Sequence, residues 1–83
     1  MSPTMTTAEE FVDAIERAAR DLPHDWIIQV CVERGAAWVQ AVYDQCETWS
    51  EKELDVDGNE SLSGRIDAAV IAIQEIEANR DQR

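Results

Sequence analysis

The sequence is poor in basic residues. Seven Lys and Arg residues oppose 18 Asp and Glu residues in a chain of 83, which gives a formal net charge of −11 at pH 7. Because a surface of this charge repels phosphates, we expect no direct contact with nucleic acid or with anionic membranes. The charge is compatible with a basic protein as the partner, and also with acidity that only maintains solubility.

Cysteine and histidine are too scarce to build a metal site or a catalytic centre. The chain has two cysteines, Cys31 and Cys46, and one histidine, His24, with no ligand spacing among them. The sequence also lacks a glycine-rich phosphate loop and a nucleophile–histidine arrangement. We therefore expect free thiols in a reducing cytoplasm, no metal, no cofactor, no catalytic residues and no enzymatic activity.

Long apolar runs are absent as well. No run approaches the roughly 20 residues that span a bilayer, and the N-terminal residues lack the charged and apolar regions of a signal peptide. The chain has the size of one small domain, near the lower limit for a self-supporting core. We expect a single domain over residues 1–83, with a flexible tail at 1–6 and a frayed end at 80–83.

What the sequence does contain is a pattern that predicts a β-hairpin over residues 26–43. Val, Ile, Trp and Tyr are frequent on both sides of Arg34-Gly35, and Gly35 can adopt the positive φ of a tight turn. A three-residue turn with a bulge is the alternative. Counting outward from a two-residue turn predicts one buried face, in which the facing pairs are Val32 with Ala37, Val30 with Val39, Ile28 with Ala41, and Trp26 with Tyr43.

The opposite face of the hairpin is also partly apolar. It carries Ile27, Cys31, Trp38 and Val42 around two glutamines. Coverage by a third strand, a loop or a helix would explain this pattern, and so would an apolar contact with another protein. These four residues are the candidate apolar contact.

A helix is predicted on the N-terminal side of the hairpin. Thr7 and Glu10 have the spacing of a capping box, which indicates a helix beginning at Ala8, and Pro23 ends it at Leu22. Residues at helical spacing define its predicted apolar face: Phe11, Ile15, Ala18, Ala19 and Leu22.

A second helix is predicted after the hairpin, capped by Asn59 or Ser61 and ending near Asn79. Its apolar stripe is broad enough to require cover and contains Leu62, Ile66, Ala69, Val70, Ile73 and Ile76, widened by Ala68, Ile71 and Ala72. We expect both helices to lie on the buried face of the hairpin. The predicted fold is a small α+β domain in the order α-β-β-(short β)-α, an antiparallel hairpin covered on one face by two helices.

Residues 44–60, which we call the connector, hold seven acidic residues and one lysine. The alternation from Glu53 to Asp57 predicts the short third strand, with Leu54 and Val56 pointing inward, while a solvated loop is the alternative. Asp55 to Asn59 resembles the start of a calcium loop. The sixth and twelfth positions of that loop hold Glu and Ile here instead of Gly and Glu, so we expect no such site.

In this layout the chain resembles the small acidic proteins of phages and mobile elements, in particular anti-CRISPR proteins that inhibit type I CRISPR–Cas systems. The resemblance lies in a short helix, Leu22 to Trp26 (LPHDW), a hairpin containing Arg34 to Val39 (RGAAWV), the acidic connector and a closing helix. It implies that the protein acts in the cytoplasm of a bacterial host as a DNA mimic, binding and inhibiting a CRISPR–Cas effector.

We predict the partner-binding residues from where the acidic residues lie in the sequence. The first set lies in the connector and comprises Asp44, Glu47, Glu51, Glu53, Asp55 and Asp57. The second lies on the first helix and comprises Glu9, Glu10, Asp13 and Glu16. Such carboxylates can pair with the Lys and Arg of a DNA-binding groove. The alternative is a non-enzymatic interaction or assembly subunit that dimerises through the apolar sheet face, and we expect a monomer or a weak homodimer.

Overall fold

The structure is a computed structural model that describes residues 7–81. Its elements are α1 (Thr7–Asp21), β1 (Trp26–Glu33), β2 (Ala36–Tyr43), β3 (Glu47–Trp49) and α2 (Leu62–Asp81). The three strands form one antiparallel sheet in the order β1-β2-β3. The predicted α+β fold and element order are therefore confirmed, whereas the predicted tail at 1–6 lies outside the described residues.

The hairpin has the predicted register. Trp26 pairs with Tyr43, Val30 with Val39, and Glu33 with Ala36, which leaves the two-residue turn at Arg34-Gly35. Gly35 has a φ of +88°, a value that residues with a Cβ rarely adopt. Across the outer face, the Gln40 amide donates to Gln29 Oε1 at 2.7 Å. This cross-strand bond holds the same register that the apolar pairs specify.

The third strand lies earlier in the chain than predicted. It occupies Glu47–Trp49, and Trp49 pairs with Ala41 of β2. The prediction of a strand at 53–57 is wrong, because residues 53–55 form turns and residues 56–57 are irregular. The link from β2 to β3 is a tight turn in which Cys46 N donates to Tyr43 O at 3.0 Å. Asp44 and Gln45 both have positive φ there, the pattern of a type I′ turn.

α2 lies along β2 and covers its full length. Near the start of the helix, Arg65 Nη1 donates to Ala37 O at 3.1 Å, and near its end the Arg80 guanidinium lies 4.1 Å from the centre of the Tyr43 ring. Of the two predicted caps Ser61 is the one used, since its Oγ accepts from Gly64 N at 3.2 Å. The helix continues to Asp81, so the predicted frayed end is helical at Arg80 and Asp81, while 82–83 lie outside the described residues.

The core is centred between α2 and β2. Val39, Ala41, Ala69 and Ile73 are fully buried, and Ile66 and Val70 of the predicted α2 stripe are buried beside them. The other members of the stripe apart from Ile71 are half-buried: Leu62, Ala68, Ala72 and Ile76. Leu54 and Val56 of the connector point inward as predicted and extend this core. Ile71 is the exception on the stripe, with 56% of its surface exposed.

α1 packs on α2 through a face rotated from the predicted one, because Phe11, Ala18 and Leu22 pack on the core whereas the other two predicted residues do not. Ala14 and Ala18 are buried, whereas Ile15 is 45% exposed and Ala19 is also exposed. Arg17 pairs with Asp67 of α2, which holds α1 in this rotation. Ile15 therefore points away from α2.

The helices cover the hairpin unevenly. The prediction of one fully buried face is therefore wrong at the turn end of β1. Trp26 is buried and Ile28 half-buried, but Val30 is 36% and Val32 76% exposed. α2 packs along β2, and α1 packs on α2. Little of either helix therefore reaches the turn end of β1. Exposure along β1 rises toward the turn for that reason.

Two alanine substitutions on α2 separate core packing from surface exposure. We expect Ile73→Ala to lower the free energy of unfolding by about 2–5 kcal/mol, since it removes a fully buried side chain. Ile71→Ala makes the same chemical change at an exposed position two residues away, and we expect it to change that free energy by less than about 0.5 kcal/mol. Urea denaturation followed by tryptophan fluorescence measures both. Equal losses for the two variants would contradict the placement of α2.

Candidate functional site

The connector presents acids from a loop that is anchored on both sides. Leu54 and Val56 are buried against the core, while Glu53, Asp55 and Asp57, which alternate with them, are exposed. Backbone bonds close the loop: Leu54 N donates to the carbonyl of residue 50 at 3.0 Å, and Val56 N to the carbonyl of residue 51 at 2.8 Å. The three carboxylates therefore project from backbone that packing and hydrogen bonds hold in place.

Short-range hydrogen bonds shape this loop further. Ser50 and Glu53 bond reciprocally, since Glu53 N donates to Ser50 Oγ and Ser50 Oγ donates to Glu53 Oε1, both at 3.2 Å. Asp57 Oδ1 accepts from Asn59 N at 2.9 Å. Asp55 has a φ of +59°, which Asp tolerates better than most residues. Each acid thus also has a local structural role.

Glu51 differs from the other acids of the connector. Its carboxylate lies 3.4 Å from Arg65 Nη1, and both side chains are largely buried. The same Nη1 donates to Ala37 O, so Arg65 joins the connector to α2 and β2. Arg65 Nε is buried without a hydrogen-bond partner in the described part of the chain. Glu51 is thus largely covered, and it is less accessible to a partner than Glu53, Asp55 or Asp57.

Asp44 and Glu47 lie at another place, in the turn from β2 to β3. Asp44 N donates to Asp25 O at 2.7 Å, and Glu47 faces Tyr43 across the ladder. This end of the sheet lies beneath the C-terminal end of α2, where Arg80 covers Tyr43. The loop around Asp55 instead borders the middle of α2. The six predicted connector acids therefore do not form one cluster.

The acids of α1 lie on the other side of α2. Residues Asp67, Val70 and Gln74 of α2 face α1. Ala68, Ala72 and Glu75 face Leu54 and Asp55. Consequently α2 separates the predicted second set from the connector. Of that set Glu9 and Glu16 are exposed, and Glu10 and Asp13 are half-buried.

The arginines pair mostly with acids outside the predicted sets. Arg17 pairs with Asp67 at 2.9 Å, Arg20 with Asp21 at 3.0 Å, and Arg80 with Glu77 at 3.9 Å. Hydrogen bonds from Arg20 hold the pKa of Asp21 below its ordinary value, and the bond to Asp67 raises the pKa of Arg17. These pairs leave the negative charge of Glu53, Asp55 and Asp57 without compensation from those arginines.

The candidate apolar contact lies on the sheet face opposite the helices. Ile27 is 45% exposed, and Cys31, Trp38 and Val42 are half-buried. Thr48 of β3 pairs with Val42, so the third strand gives lateral cover to this face. Both cysteines are free, as predicted.

Sequence reasoning missed the contacts that join distant segments. Trp26 Nε1 donates to Glu77 Oε1 at 2.7 Å, which satisfies a buried indole across 51 residues of chain. The same ring lies 4.9 Å from Tyr43 and 6.0 Å from Trp49, measured between ring centroids. The hairpin register indicated the Tyr43 contact, but no local pattern indicated Trp49 or Glu77.

Comparisons with known proteins assign no family. No family model matches the chain, and neither a curated protein nor a solved structure matches it. Within residues 7–81, no group of three or more His, Cys, Asp and Glu side chains is placed to hold a metal ion. Neither of the two helices described is long and apolar enough to cross a membrane.

The structural role of Glu51 is testable by alanine substitution. We expect Glu51→Ala to lower the free energy of unfolding by about 1–3 kcal/mol, because it leaves a largely buried Arg65 without its carboxylate. Glu47→Ala removes an exposed acid of the same connector, and we expect a change below about 0.5 kcal/mol. Thermal and urea denaturation measure both variants. A Glu51→Ala protein as stable as wild type would show that the Arg65 pair contributes nothing.

Proposed function

We propose that this chain is a non-enzymatic, acidic binding protein that inhibits a bacterial defence effector by occupying its basic, nucleic-acid-binding surface. The residues that make the primary contact are Glu53, Asp55 and Asp57. Their carboxylates pair with the Lys and Arg that otherwise hold DNA phosphates. The resemblance to anti-CRISPR proteins makes a type I CRISPR–Cas effector in the bacterial cytoplasm the first partner to test.

The observation that supports this proposal is the alternation of anchored and exposed residues in the connector. Leu54 and Val56 are buried, and the three acids between and beside them are exposed. A loop that is already ordered loses little conformational entropy when it binds, so more of the contact energy appears as affinity. Carboxylates on a mobile tail would lack this advantage.

The charge of the whole molecule favours encounter with a basic partner. At −11 the protein attracts a positive groove over a Debye length of about 8 Å at physiological salt. The acids of α1 extend this field on the other side of α2 without lying in the same contact. Steering by the field predicts an association rate that falls as salt rises.

The test compares three variants of equal net charge, each with three acids neutralised. The connector variant is Glu53→Gln with Asp55→Asn and Asp57→Asn, which keeps the oxygens that accept from Ser50 and Asn59. The α1 variant is Glu10→Gln with Asp13→Asn and Glu16→Gln. The control is Asp21→Asn with Asp25→Asn and Glu33→Gln, at three exposed positions that belong to neither set and do not border the Asp55 loop.

Immobilised wild-type protein is first used to capture basic proteins from bacterial lysate and purified type I effector complexes over a salt titration. Binding of target DNA to the captured protein is then measured by fluorescence anisotropy as each variant is added. We expect the connector variant to bind about 10–100-fold more weakly than the control, since three ion pairs are lost. A connector variant that competes with DNA as well as the control would refute the proposed contact.

A further inference from the structure

The edge of the sheet formed by β1 is open. β1 is a terminal strand in the order β1-β2-β3, and no other strand described in residues 7–81 pairs with its free side. From Trp26 to Val32 it carries no charged residue, no proline and no glycine. Proteins usually protect such edges with charges, prolines or bulges, because an open edge is a template for another strand.

The outward-facing groups of this edge can be assigned from one hydrogen bond. Asp44 N donates to Asp25 O, so residues 25 and 44 are a hydrogen-bonded pair of the ladder. Bonded and non-bonded pairs alternate along antiparallel strands. Ile28, Val30 and Val32 therefore belong to non-bonded pairs, and their N–H and C=O groups point away from β2. Trp26 N is already engaged, since it donates to Pro23 O at 3.4 Å.

Exposed apolar side chains are frequent on β1 and on α1, the helix nearest to this edge. Six large hydrophobic residues are exposed among the described residues, and five of them lie on β1 or α1: Val12, Ile15, Ile27, Val30 and Val32. An apolar groove of about 310 Å³ runs between α1 and β1, lined by residues of both elements together with Ile66. In a protein in which 30% of residues are charged, this uncharged surface is the exception.

We propose that this edge is a homodimer interface in which β1 pairs antiparallel with β1 of a second copy. The two sheets then join into one of six strands. Pairing uses the open backbone groups of Ile28, Val30 and Val32, so the contact is centred on the uncharged strand. This interface is the sheet edge, not the outer sheet face, and it does not depend on the proposed function of the connector.

A second copy fits because the edge is complementary to itself in one register. With Val30 facing Val30 of the second copy, Ile28 faces Val32 on both sides of the two-fold axis. All the outward N–H and C=O groups assigned above are used, and Trp26 N is left with Pro23. The neighbouring register, centred on Gln29, would place Asp25 opposite Glu33 twice, and like charges directly opposite are destabilising.

Charge also favours this surface over the rest of the molecule as the place where two copies meet. Two copies together carry a formal charge of −22, twice the −11 of one chain, so they approach best where neither presents a carboxylate. An uncharged interface core is typical of homodimers. Because salt screens the remaining repulsion, dimerisation should strengthen as salt rises, whereas binding of the connector to a basic partner should weaken.

The test measures the dimer dissociation constant of the full chain by sedimentation equilibrium in low and high salt. We expect wild type to dimerise and Val30→Lys to raise the dissociation constant by about 30-fold or more, since the two lysines would face each other at the axis. The matched control is Ile71→Lys, which has the same charge change at the exposed position on α2. We expect it to dimerise like wild type, and circular dichroism checks that both variants fold.

The register is tested by engineered intermolecular disulfides. The two native cysteines are first removed by Cys31→Ala and Cys46→Ser. Val30→Cys should form an intermolecular disulfide on mild oxidation, because facing residues of a bonded antiparallel pair have Cα atoms about 5.5 Å apart. Val32→Cys should not, since the two cysteines would be about 13 Å apart along the strands.

Three outcomes would overturn the proposal. One is a wild-type protein that stays monomeric at millimolar concentration in high salt. Another is a dimer that Ile71→Lys weakens as much as Val30→Lys does. The third is a dimer that survives Val30→Lys but dissociates with Val42→Lys, which would move the interface to the outer sheet face.

Discussion

The packing of α2 along β2 is the contact on which the rest of the structure depends. Val39 and Ala41 of the central strand and Ile66 and Ile73 of the helix are buried together, and Arg65 and Arg80 fasten the two ends. Among the described residues α2 supplies four of the eleven buried hydrophobic residues, more than any other element. Other elements then occupy positions that α2 leaves free.

Those positions differ on the two sides of α2. On one side the connector inserts Leu54 and Val56, which keeps a short acidic loop ordered. On the other side α1 packs through Ala14 and Ala18, whose small side chains permit a close helix–helix contact. α1 is thereby drawn toward α2 and away from β1. The exposure of Val30 and Val32 beside the open edge is a consequence of this arrangement.

Two surfaces of opposite character result, and we expect the contacts proposed for them to respond to salt in opposite directions. The connector is rich in charge and suited to a basic partner, while the β1 edge is uncharged and apolar. They lie on opposite sides of α2, so a dimer joined through β1 would leave both connectors accessible. Such a dimer would present two acidic loops to a repeated or extended basic surface, with the gain in avidity that two linked contacts give.

The sequence by itself determined most of the local structure: the helices, the turn at Arg34-Gly35, the register of the hairpin and a cap at Asn59 or Ser61, of which the structure selects Ser61. These follow from side-chain periodicity, from the φ preference of glycine and from short-range hydrogen bonds, all of which act between near neighbours. It also indicated that Leu54 and Val56 point inward. It did not place β3, since Asp44 and Gln45 form a tight turn without the usual Asn-Gly signal.

Only the tertiary structure decided which apolar residues are covered. Ile15 and Val32 match the periodicity of a buried face as well as Ile73 does, yet they are exposed because α1 packs on α2. Glu51 and Glu53 are equally acidic in sequence, but only Glu51 meets a largely buried arginine. Periodicity assigns a residue to a face, whereas burial depends on which distant segment packs there, and that choice is made by the whole chain at once.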